Sequence, residues 1–262
     1  MELGIAGKNV LVTASSKGIG LGVAKVMAME GANVMLFARK EEELRAARQE
    51  VMKIAKGKVE YYVGDITNKD DVTKLIDESN KVLGSIDILI YNTAPPKPGT
   101  FLQLSDDDWE YGSRLLLQSA VWLTRRVINN MMKNGWGRLI YITSLTLKQQ
   151  IPNLVLSNVI RLSIMGLVKS LAVELAPYGI TSNGIMQGHI FTERTLQLAS
   201  DSASRQGKSI DDVLKDMAKE IPAGRYGTPE EVGNLAAFLA SDKASYINGA
   251  MILIDGGLVR CT

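Results

Sequence analysis

Of the 262 residues, only one is cysteine, Cys261, and only one is histidine, His189. A single thiol excludes an intramolecular disulfide, and so few soft ligands leave no zinc centre to expect, so the sequence predicts an intracellular, cytoplasmic protein without a metal site. An excess of either charge is also missing. Thirty Lys and Arg stand against 28 Asp and Glu, for a formal charge of +2, which gives no bulk field to attract a nucleic acid or an anionic membrane. Nowhere does an apolar run reach the ~18 residues a membrane helix needs. The opening stretch, MELGIAGKNVLVTASSKGIG, lacks the basic segment, apolar core and small-residue cleavage site of a secretion signal. No nucleic acid and no membrane is expected as a partner; a small molecule is.

What is present is a regular alternation. Seven β-rich runs, NVLVT (9–13), NVMLFA (33–38), VEYYV (59–63), DILIY (87–91), RLIYIT (138–143), ITSNGIM (180–186) and MILI (251–254), are separated by helix-length segments. Runs this uniformly apolar fit strands covered on both faces, and right-handed crossovers between them build a doubly wound parallel sheet with helices on both sides. The prediction is one α/β domain of Rossmann type spanning residues 1–262, with its ligand beyond the carboxyl ends of the strands. The least regular stretch, about 190–224, follows the sixth strand and is expected to overhang the cleft as a lid.

The first strand leads into VTASSKGIGLGVAKVMA, where Gly18 and Gly20 let backbone N–H groups approach a phosphate at a helix start. Here the chain resembles the short-chain dehydrogenase/reductase family, whose loop reads T-G-x-x-x-G-x-G. GDIT (64–67), YNTA (91–94) and above all GRYGTPEEVGNLAAFLASDKASYINGAMILIDGG (224–257) are similar to further family motifs, and within the family the chain is most similar to the 3-oxoacyl-carrier reductases. The resemblance implies a nucleotide site made of Ala14, Ser16, Lys17, Gly18, Ile19 and Gly20 in the loop, Asp65 and Ile66 at the adenine, Asn92, Arg161, and Gly188, Ile190 and Thr192 near the nicotinamide. After the second strand, Ala38 and Arg39 stand where a carboxylate would select NAD, and Lys17 is a second cation for the same corner. NADP(H) is therefore the expected cofactor. Ala14 replaces the first glycine of the loop, which costs on the order of 1 kcal/mol if that residue needs positive φ. Gln187-Gly188 replaces a Pro-Gly.

The family's catalytic tetrad is Ser, Tyr, Lys and Asn. By resemblance the serine is Ser144, but Ser157 occupies the tyrosine position, Arg161 the lysine position and Leu116 the asparagine position. A serine hydroxyl is far less acidic than a phenol of pKa ~10, and an arginine cannot release its proton. Ser144 as polariser, Arg161 as electrostatic clamp one helical turn from Ser157, and water as proton source form the expected machinery. Tyr91, Tyr141, Lys148 and His189 are other polar candidates, none assigned as the acid. Two readings stay open: an NADP(H)-dependent oxidoreductase of a carbonyl or alcohol substrate with a non-standard active site, and a non-catalytic sensor or scaffold that binds a nucleotide or other ligand. The resemblance also implies a homotetramer or homodimer joined through helices at about 106–133 and 153–176.

Overall fold

Side chains alternate along each strand between two apolar layers, and that alternation sets the architecture. The computed structural model describes residues 2–261. Its strands are β1 (Asn9–Thr13), β2 (Asn33–Ala38), β3 (Val59–Val63), β4 (Ile88–Tyr91), β5 (Gly137–Ile142), β6 (Ile180–Gln187) and β7 (Met251–Ile254). They form one seven-stranded sheet in the order β3-β2-β1-β4-β5-β6-β7, with every neighbouring pair parallel. The predicted fold class is the observed one.

Val10, Val12, Val34, Leu36, Ile88 and Ile90 point to one face, where α1 (Gly18–Met29), α2 (Glu41–Met52) and α9 (Pro229–Ala240) cover them. Leu11, Met35, Leu89, Tyr91, Leu139 and Tyr141 point to the other, under α3 (Lys69–Val82), α5 (Ser119–Asn134) and α6 (Val155–Leu175). Each buried Val or Leu contributes about 1.5–3 kcal/mol, so a slip of register, which would exchange the two sets, is heavily disfavoured. Strand order reverses between β1 and β4. The loops after these two strands therefore diverge and leave a crevice at the carboxyl edge of the sheet.

Two elements differ from the sequence reading. The Ser-rich start of the 190–224 stretch is helical: α7 (Glu193–Gln206) begins at Thr192, ends at the left-handed Gly207 and pairs with α8 (Ile210–Lys219) around Ala199, Ala203 and Val213. Those three small apolar residues form a separate cluster that holds the excursion together. The long helix expected near 106–133 is α4 (Asp106–Ser113) and α5 joined by a π-helical turn at Arg114–Gln118. No helix among the described residues is long and apolar enough to cross a membrane.

Candidate active site

The crevice is built first at the turn after β1. Thr13 Oγ1 donates to the Asn92 carbonyl at 2.7 Å and accepts from the Asn92 N–H at 2.9 Å, which ties the turn to the end of β4. Ser15 Oγ donates to the Val12 carbonyl and accepts from the Phe37 N–H, tying it to β2. Between these anchors Ala14 has φ 48°, so its methyl occupies the left-handed region that the family's glycine would enter freely. Gly20 passes so close that any Cβ there would collide with the Ala14 carbonyl. Lys17, extended at the start of α1, provides no side-chain cap, and the first-turn N–H groups stay open to an anion. Ile19 lies partly buried against the apolar layer.

The two cations expected to read a phosphate are each drawn to a carboxylate. Lys17 Nζ lies 3.8 Å from Glu43 and 3.4 Å from Glu193, while Arg39 reaches toward Asp65 at 4.0 Å. Glu43, in the first turn of α2, also accepts from Ser16 Oγ at 3.2 Å and Lys40 Nζ at 3.0 Å. The Lys40 hydrogen bond, with Lys17 and Ser16 behind it, holds the Glu43 carboxyl below its ordinary range despite partial burial. Asp65 spends one oxygen on the Thr67 N–H and hydroxyl, both at 2.8 Å, and so shapes the loop after β3. Ile66 is buried in the apolar layer beneath that loop.

The far wall comes from the segment after β6. A Cβ built on Gly18 would lie 3.6 Å from Thr192, which places Thr192 directly over the glycine turn. Gly188 donates its N–H to the Ile254 carbonyl at 2.9 Å, and Ile190 bridges to Gly227. His189 is half-buried, edge-on to Tyr226, and burial lowers its pKa against an opposing pull from Glu220.

At the carboxyl end of β5, Ser144 caps a short turn by accepting from the Thr146 N–H at 3.2 Å. Thr146 Oγ1 in turn shares a 3.2 Å hydrogen bond with Ser157 Oγ. Thr146, unmarked in the sequence, therefore links the two serines. One turn along α6, Arg161 is 8% exposed, and its Nε is buried without a partner. Burial lowers its pKa, opposed by the nearby Tyr91.

Tyr91 and Tyr141 are core residues. The Tyr91 hydroxyl lies 2.9 and 3.0 Å from the Leu115 and Leu116 carbonyls of the π-turn and 2.8 Å from Ser119 Oγ. Its burial drives the phenol pKa up, and Tyr141 is likewise buried against Thr124. Lys148 is exposed, its carbonyl near the Cys261 thiol. Among the described residues, no cluster of metal ligands is formed.

Comparison with known proteins places the chain among reductases in sequence and in fold. Residues 13–259 match the family described as Enoyl-(Acyl carrier protein) reductase. The 3-oxoacyl-[acyl-carrier-protein] reductase of Aquifex aeolicus is 30% identical over 258 residues, 98% of this chain and 100% of that one. Oxidoreductase UcpA of Escherichia coli is 34% identical over 97% of this chain and 95% of its own. The crystal structure of L-sorbose reductase from Gluconobacter frateurii, complexed with NADPH and L-sorbose, superposes with a TM-score of 0.97 at 30% identity and covers 100% of both chains.

Proposed function

We propose that this chain, which belongs to the short-chain dehydrogenase/reductase family, is an NADP(H)-dependent oxidoreductase of a carbonyl or alcohol substrate. The observation that carries the reading is the turn after β1: uncapped N–H groups at the start of α1 beside Ser16, Lys17 and Arg39. This set suits a pyrophosphate on the helix start and a 2′-phosphate at the cationic corner. The NADPH complex of the sorbose reductase supports the same assignment. Asn92, Arg161, Gly188, Ile190 and Thr192 would complete the cradle, and the cofactor would supply a hydride.

Ser144 polarises the substrate oxygen, and Arg161 acts as an electrostatic clamp on the substrate. Ser157 is no substitute for a phenol, because its hydroxyl is engaged with Thr146 and has little acidity of its own. Water provides the proton. We further assign α7 and α8 as a lid within a single domain. Thr192 and Glu193 already touch the glycine turn, so closure of this excursion would bring cofactor and substrate together.

The experiment is to follow NADPH oxidation with a panel of ketones, quinones, 3-oxoacyl thioesters and free 2-oxo and 3-oxo acids. Turnover with at least one, lost in Ser144→Ala, is the expected result. A protein that binds NADPH and oxidises it with none would instead favour the sensor or scaffold reading, which the weak acidity of Ser157 and the burial of Tyr91 also suit.

A further inference from the structure

Arg161 presents a physical problem that its family position does not solve. Its side chain is more than nine-tenths buried, Nε has no partner, and the guanidinium enters no hydrogen bond or ion pair among the described residues. Arginine cannot shed its proton to escape the cost, and a largely buried charge without a counter-charge is unfavourable. The neutral ribose hydroxyls of a cofactor offer hydrogen-bond acceptors but leave that charge uncompensated. A second buried group is in the same condition. Thr93 Oγ1, just beyond β4, is 8% exposed and has no partner, and β4 carries Tyr91, the residue close enough to act electrostatically on Arg161.

We infer that Arg161 is the seat of a substrate carboxylate, so that the substrate is a free 2-oxo or 3-oxo acid and not a neutral ketone or thioester. This rests on the NADP(H) oxidoreductase reading. The placement follows from the chain Ser144, Thr146, Ser157. That chain joins Ser144 to the first turns of α6, one turn before Arg161, and the planar fork of a guanidinium matches a carboxylate. In the reaction the oxo acid gains a hydride at its carbonyl carbon from NADPH and a proton at oxygen from water. The hydroxy acid forms as NADPH is oxidised to NADP+.

The test compares the wild-type chain with Arg161→Lys and Arg161→Met, using 2-oxobutanoate and 3-oxobutanoate beside their neutral amides. The wild type should prefer the acids in kcat/KM by about 10- to 100-fold, the range of charge-assisted hydrogen bonds. Arg161→Met should bring that ratio near one, and Arg161→Lys should keep part of it. Two readouts need no turnover. Removing an unpaired buried charge should raise the melting temperature of the ligand-free Arg161→Met protein by about 2–8 °C, and the acids should raise that of the wild type but not of Arg161→Met. Equal rates with acids and amides in the wild type would overturn the inference. So would an Arg161→Met protein that melts lower and keeps the acid preference, or a wild type that no acid stabilises. Failure to bind NADPH would sink the cofactor assignment alone, because the acid-induced melting shift reads the Arg161 site by itself.

Discussion

Glu43 decides how well the cationic corner can do its work. It holds Ser16 and Lys17 in place, yet its carboxylate would lie beside an incoming 2′-phosphate, and like charges at a surface site oppose each other by ~1 kcal/mol. Glu43→Gln should keep the hydrogen bond to Ser16, remove the repulsion and tighten NADPH binding by about fivefold while leaving NADH unchanged. Fluorescence titration checks this, and weaker NADPH binding would show that the carboxylate orders the cations more than it repels the ligand. Neither Glu43 nor Thr146 stood out in the sequence, because each gains meaning only from a partner on another element. A signal for Glu43 did exist: EEELR follows directly on FARK, and a β-α-β unit returns the start of α2 beside the glycine turn. At Ala14 the family's glycine raised the possibility of a positive φ, and the structure shows one.

Among the elements, the strands were the most readable, and NVLVT, NVMLFA, VEYYV and MILI span the observed ranges to the residue. Short apolar runs between helices leave little freedom in a sheet covered on both faces. The π-turn was not readable, because its cause is tertiary. The Leu115 and Leu116 carbonyls meet the hydroxyl of Tyr91, a residue on a different element. Nor was α7 anticipated, since its sequence is Ser-rich and polar and only Ala199 and Ala203 among its described residues are buried. Tyr91→Phe therefore tests the π-turn. With Ser119 Oγ still reaching the Leu115 carbonyl at 2.7 Å, the loss should centre on Leu116 and cost about 1–3 kcal/mol, or roughly 2–8 °C in melting temperature. Thermal unfolding followed by circular dichroism measures it, and an unchanged midpoint would mean that the hydroxyl is not what satisfies the turn.

Across the whole molecule, α6 exposes Val159, Leu162, Met165 and Val173, the last 80% accessible, and their spacing sets them on one side of the helix. We propose that this stripe is where copies of the chain associate, as the sequence expectation of a homotetramer or homodimer requires. Sedimentation velocity should show an oligomer that Leu162→Arg converts to monomer, whereas a wild-type monomer would reject the assignment. The central claim concerns the nucleotide, and it rests on Ser16, Lys17 and Arg39 beside an uncapped helix start. Its most direct test is calorimetric titration of the wild-type chain with NADPH and with NADH under one buffer. Charge-assisted contacts worth ~1.5–3 kcal/mol each predict that NADPH binds at least about tenfold more tightly, and that Arg39→Asp reverses the order. Equal affinities, or no binding of either nucleotide, would contradict it.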